Sequence, residues 1–283
     1  MRESIVAGQF YESDPTNLKS QIESCFESVI GPKLPSKKRN KKVIGVISPH
    51  AGYEYSGSCQ AFSYKEIAES KIPKVYILFG LSHEGLKSSI SGDDWETPLG
   101  KVNVDKELAK ELSELAKIPI DEIPHQNEHS IEVQLPFLQF INKKKFKILP
   151  IIISNDIDIK ELAINIKRSL DRQKKSCILI ASSDFTHIGP NYNFEPFHEN
   201  ISENQKSFDK VAIKHIEKLD SDGLNEYIDN TGATICGINP ITLLIETAIL
   251  LGAKKANLLK YYSSGDISGD YTNSVGYSAI KVE

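Results

Sequence analysis

No stretch of this chain reaches the ~20 consecutive apolar residues that cross a bilayer, so no membrane span is expected. The four cysteines, Cys25, Cys59, Cys177 and Cys236, show no close-pair spacing, which argues against a disulfide framework and suits a reducing cytosol. The opening Met1-Arg2-Glu3-Ser4-Ile5 lacks the apolar run of a secretory signal, and a cytoplasmic location is expected. Positive charge is not in excess: the formal net charge of -4 argues against a nucleic-acid binder. There is no phosphate loop ending Gly-Lys-Ser/Thr, no Gly-x-Gly-x-x-Gly and no Gly-x-Ser-x-Gly, so P-loop nucleotide hydrolysis, Rossmann-type dinucleotide binding and α/β-hydrolase chemistry have no motif to rest on. At 283 residues the chain buries enough surface to fold without disulfide or metal.

What is present is a set of apolar runs that end on histidine or on an aspartate–histidine cluster. Val43 to Pro49 stops at His50, and Val75 to Ser82 stops at His83. Cys177 to Ser183 stops at Asp184, with His187 three residues on. Short continuous apolar runs bounded by Gly, Pro and Ser read as strands covered on both faces, and such sheets bind ligands beyond the strands' carboxyl ends. The three runs therefore predict one polar site assembled from distant parts of the chain.

Between them the pattern alternates with helices. Asp14-Pro15 opens an amphipathic helix. The basic run Lys37 to Lys42 reads as a solvated loop. Ala51 to Gly57 reads as a glycine-rich turn before a helix from Ser58 to Glu69, and Ser91 to Gly100 as a long loop or hairpin. Further helices are expected near 105–116, 158–172, 204–219 and 221–229, with an apolar one after Asn239-Pro240. Strands are expected at 146–153, 256–262 and 274–282. No repeat or linker breaks the alternation. The expected fold is α/β: residues 1–283 as one three-layer α/β/α domain with a central mixed, mostly parallel sheet.

Imidazole is the commonest metal ligand and the ordinary base near neutral pH. His50 and His83 follow buried strands at small-residue corners, whereas His198 and His215 read as loop and helix-surface residues. Cys25, Cys59 and Cys177 read as small core hydrophobes. Cys236 sits in a glycine-flanked turn before a helix, where the end charge favours thiolate. A thiolate with two imidazoles suits zinc, copper or iron. Asp184 and His187 are placed to complete the ligand sphere, to orient a ligand or to act as acid and base. His125 and His129 flank Gln-Asn-Glu rather than the Glu-x-x of the metalloprotease motif, which leaves substrate-facing or capping roles.

These residues also carry a resemblance. Ala7 to Tyr11, Ser48 to Tyr53, Glu96 to Gly100, Glu128 to Phe137, Ser182 to His187 and Cys236-Gly237 resemble, in order along the whole chain, the segments of the Memo family. The chain looks like the prokaryotic branch, the Memo-like component of the AmmeMemoRadiSam system, which implies a link to AMMECR-type and radical-SAM proteins. The family is similar in fold to LigB-type class III extradiol dioxygenases. Carried over, the resemblance makes His50 and His83 the two histidine ligands of a mononuclear ion, with Cys236 in place of the dioxygenase carboxylate and His187 as the acid/base. It implies a metal-binding redox protein, with phosphopeptide binding in animal members, while the change from carboxylate to thiolate leaves ring cleavage open.

The leading expectation is thus a metal-dependent protein acting on an unknown small substrate, with iron or copper at His50, His83 and Cys236 and zinc as a third candidate. Asp184 and His187 lie beside the ion, and His125, His129, Tyr53 and Trp95 face the substrate. Two rivals use the same residues. In a non-catalytic peptide- or protein-binding module, Trp95, Tyr53 and Tyr55 form the recognition surface. In a zinc hydrolase, His187 or Asp184 is the base.

Overall fold

Apolar residues alternate between two cores, and that alternation explains the layers. In the computed structural model, which describes residues 1–283, ten strands form one sheet. They are β1 (Gly45–Ser48), β2 (Val75–Gly80), β3 (Ser89–Ile90), β4 (Trp95–Thr97), β5 (Gly100–Val104), β6 (Lys147–Ile152), β7 (Cys177–Ser182), β8 (His187–Ile188), β9 (Ala256–Ser263) and β10 (Ser274–Val282). The order is β4-β5-β6-β2-β7-β1-β10-β8, with β3 beside β6 and β9 beside β10. The central run β5-β6-β2-β7-β1 is parallel, and antiparallel strands close both sides. This is the expected mixed sheet.

On one face Ile47, Ile77, Phe79, Leu149 and Leu179 pack with the Ile159–Arg172 and Ile238–Leu250 helices. On the other, Val46, Tyr76, Leu78, Ile148 and Ile180 pack with the Pro15–Glu27 and Tyr53–Ala68 helices. Asp14 caps the first of these by accepting from the amides of Thr16 and Asn17 at 2.9 Å. No helix is long and apolar enough to cross a membrane.

One local expectation needs correction. The Tyr53–Ala68 helix starts five residues before Ser58, so most of the glycine-rich turn is helical. Gly57 serves close packing there: a Cβ would lie 2.5 Å from Cys25 Sγ on the neighbouring helix. The segment after His129 is a 3-10 turn, Glu132–Gln134, followed by the Leu135–Ile141 helix with Pro136 in its first turn. The 91–100 stretch enters a hairpin, Trp95–Thr97 against Gly100–Val104.

Register places the site. Ser48 of β1 pairs with Ser182 of β7, and Phe79 of β2 with Ala181. The chain segments carrying His50, His83 and Asp184 therefore leave the same edge of the sheet. Cys236 is brought there by its neighbour: a Cβ on Gly237 would lie 2.4 Å from Ser183 Cβ, so only glycine lets this loop rest on the end of β7.

Candidate metal centre

His50 is almost fully buried, and its partners decide its tautomer. Ser182 Oγ gives its one proton to the Ser130 carbonyl at 2.6 Å and accepts from Gln134 Nε2 at 2.9 Å. Its contact with His50 Nδ1 at 3.0 Å is then made by the imidazole proton, which leaves the Nε2 lone pair free. That Nε2 lies 3.3 Å from Cys236 Sγ. His83 is half-exposed and turns Nδ1 to both Glu128 oxygens at 3.0 Å, freeing its own Nε2. Ligand atoms of His50, His83 and Cys236 all lie within 4.8 Å of one another. Two ligands held at 2.0–2.3 Å by one tetrahedral ion are about 3.5 Å apart, so the donor set fits a single ion. Histidines anchored through one nitrogen to hydroxyl or carboxylate are the usual companions of such an ion.

The surrounding groups are tuned by burial and by one another. Burial, then the nearby His83, lowers His50 to about 3. Burial, then His50, brings His129 down to about 4. Burial alone would raise Glu128, yet its bonds to the His83 ring and to the His83 and Ser130 amides bring it to about 2. Burial opposes protonation of His83 too, but the Glu128 carboxylate outweighs it and the pKa rises. Burial raises Asp184, whose Oδ1 accepts from the His50 amide at 2.8 Å. His187 turns Nδ1 to the Thr234 carbonyl at 3.0 Å, so Nδ1 carries a proton and Nε2 is the nitrogen left for the cleft. His50, His83, His129, Asp184 and His187 line one cleft of about 440 Å³.

A family model described as a Memo-like protein matches residues 2–281. The chain belongs to the Memo family. It is 38% identical to a MEMO1 family protein of Methanopyrus kandleri, over 99% of this chain and 98% of that one. A MEMO1 family protein of Methanosarcina barkeri is 39% identical over 100% of both chains, and one of Desulfurococcus amylolyticus 43% identical over 99% of this chain and 98% of its own.

Within this Memo fold the candidate residues divide. His50, His83, Cys236, Asp184, His187 and His129 come together, with His129 stacked on His83 at 4.6 Å between ring centres. His125 does not join them: it is fully buried, with Nε2 3.1 Å from Ser89 Oγ, and faces no cleft. Trp95, expected at a recognition surface, is fully buried beneath the Arg2 guanidinium, which lies 4.4 Å from its ring centre. Tyr53 is buried as well, and its hydroxyl donates to the Val133 carbonyl at 2.7 Å. Of the three proposed recognition aromatics only Tyr55 lines the cleft. Burial, then Asp184, pushes the Cys236 thiol up, opposite in direction to the pull of the adjacent helix end.

Several contributors have roles that residue type and spacing do not show. Glu128, Ser182 and Thr234 orient the three site imidazoles, and Arg2 and Glu132 clasp the segment that carries Glu128. Asp209 holds the turn before His187: it accepts from the Thr186 amide at 3.2 Å, from the Thr186 hydroxyl, and from Tyr261 at 2.7 Å. Burial raises Asp209 to about 6 against an ordinary 3.8. The folded state thus holds this proton where the unfolded chain releases it, so the contribution is full below about pH 4 and lost as pH rises through about 6. Relative to wild type, Asp209→Asn should gain on the order of 3 kcal/mol between pH 4 and 7. Urea unfolding of both proteins across that range checks this, and a pH-independent difference contradicts it.

Proposed function

We propose that this Memo protein is a mononuclear metal-dependent redox protein, with iron or copper held by His50, His83 and Cys236 and a small organic substrate in the adjoining cleft. The observation that carries the reading is the tautomer pattern. Both imidazoles are hydrogen-bonded away through Nδ1, so in their neutral, ligand-competent forms two Nε2 lone pairs and a thiol share one small space. Bound iron or copper would supply redox and Lewis-acid chemistry there. The chain supplies the rest. His187 is anchored through Nδ1 and leaves Nε2 for the cleft, which suits it to exchange a proton with a substrate hydroxyl. Asp184 fixes the His50 backbone, and the Asp184 amide lies 3.3 Å from Cys236 Sγ, where it favours a thiolate. The resemblance to LigB-type dioxygenases assigns His187 the same role. All four cysteines are free, which supports a reducing, cytoplasmic setting.

The burial of Trp95 and Tyr53 weakens the peptide-binding alternative. The zinc-hydrolase alternative uses the same donors and separates on metal identity. Anaerobic titration with Fe(II), Cu(I) and Zn(II) is expected to show one tightly held equivalent per chain. The protein should stay folded after chelation, because both cores lie away from the donors. No saturable equivalent, or unfolding on chelation, would contradict the proposal.

A further inference from the structure

We infer that the edge of the sheet opposite the donor cluster is a docking face for an anionic phospholipid bilayer. Parallel pairing sets the starts of β6, β2, β7 and β1 side by side: Tyr76 lies opposite Ile148, Val75 opposite Cys177 and Gly45 opposite Leu179. Each segment that enters this edge carries lysine. The loop before β1 holds Lys37, Lys38, Arg39 and Lys42, and the loop before β2 holds Lys71 and Lys74. Lys143 to Lys145 precede β6, and Lys174 precedes β7. Lys41, Lys147 and Lys175 on the same edge are neutralised by Glu66, Glu69 and Asp105, whereas the residues just named make no ion pair. All of them except Arg39 are exposed. The Arg39 guanidinium donates to the Ile141 carbonyl at 3.2 Å and reaches the Ser70 carbonyl at 3.5 Å, which draws the first loop towards Lys71 and Lys143.

The side chains between the lysines select the occupant. Phe146, the aromatic of these segments, packs on Tyr76 at 5.5 Å between ring centres, so the edge offers no ring on which a nucleic-acid base could stack. Lysine is depleted at the cores of protein interfaces, which disfavours a protein partner. What the edge does expose is aliphatic: Ile72, 51% exposed between Lys71 and Lys74, and Leu34 at the start of the loop before β1. Lysines meet the negative surface potential of an anionic leaflet, and a protruding aliphatic side chain enters its interface. A cleft of about 460 Å³ beside Ile72 is lined by Lys41, Lys42 and Lys71 and by no carboxylate, so a lipid phosphate meets no opposing charge there. The whole chain carries a formal charge of -4, so the rest of its surface is repelled by such a leaflet and the molecule approaches edge first. The segments bearing His50, His83 and Asp184 leave the other edge, which keeps the metal cleft open to solvent in the docked protein.

Sedimentation with vesicles reads this directly. At about 0.1 M salt the protein should pellet with phosphatidylcholine vesicles containing about 30% phosphatidylglycerol, stay in solution with phosphatidylcholine alone, and be released at about 0.5 M salt. Lys42→Gln, Lys71→Gln, Lys74→Gln and Lys144→Gln combined in one chain should weaken binding at least about 100-fold, and Ile72→Ser alone about threefold or more. All five positions are exposed, so the melting temperature and metal content of both variants should match wild type. Duplex RNA added at the same phosphate concentration should not displace the protein from the anionic vesicles. No sedimentation with those vesicles, equal binding to both compositions, indifference to either variant, or displacement by the RNA would overturn the inference, and none of these results bears on the metal centre.

Discussion

Cys236→Ala should lower metal affinity by more than about 100-fold while leaving the fold intact. Of the three donors it alone brings sulfur, and no other cysteine is near enough to substitute: Cys25 and Cys59 are buried in the cores, and Cys177 starts β7 at the far end from the site. The comparison that calibrates it is Glu128→Gln, which leaves all three donors in place but weakens the hold on His83 Nδ1. Changes to such supporting partners typically cost 10–100-fold in metal affinity. Removing a donor should exceed that, and the ranking is the stronger check. Equilibrium competition with a chelator gives the affinities, and thermal unfolding of the metal-free forms shows that both variants remain folded. Equal affinities for Cys236→Ala and wild type would remove the thiol from the centre.

The largest stability loss is expected at Glu132, which is fully buried. Its Oε1 accepts from the Val6 amide at 3.1 Å and the Tyr11 hydroxyl at 2.6 Å, and the Ile5 amide reaches both oxygens at 3.0 Å. The carboxylate also pairs with Arg2, whose guanidinium donates to the His125 carbonyl at 3.0 Å and the Glu128 carbonyl at 2.7 Å. Glu132→Gln keeps the volume but strands the arginine's charge. Breaking one side of a buried pair typically costs about 3–5 kcal/mol. At about 2–4 °C per kcal/mol for chains of this size, the melting temperature should fall by roughly 6–20 °C. A second variant, Arg2→Met combined with Glu132→Gln, removes the stranded charge and should recover part of that loss. A single-variant shift under about 2 °C would mean that the clasp is not the anchor of the N-terminal segment.

The contrast between this clasp and the histidines shows what sequence pattern carries. A strand covered on both faces must be apolar throughout, so the runs ending at His50 and His83 are visible, and the rule that sheets bind ligands at carboxyl ends does the rest. Arg2 and Glu132 are not legible, because single charged residues read as surface unless a partner 130 positions away is known. Glu128 opens a segment that carries the family resemblance, but its role is silent in the sequence: it lies in reaching the backbone and ring of His83 from a different loop. Trp95 and Tyr53 mislead for a related reason. An aromatic beside polar residues suits a recognition surface as well as a core, and only the tertiary position of Arg2 over the indole decides. The early start of the Tyr53–Ala68 helix has the same origin, since Gly57 reads as a turn until the sulfur of Cys25 is placed against it.

The most direct measurement is X-ray absorption at the zinc edge of protein loaded with one equivalent of Zn(II), a redox-silent probe of the donor set. The account predicts one sulfur at about 2.3 Å and two imidazole nitrogens at about 2.0–2.1 Å, with the sulfur lost in Cys236→Ser. A coordination shell of nitrogen and oxygen alone in the wild-type protein, or a sulfur that persists in Cys236→Ser, would contradict it.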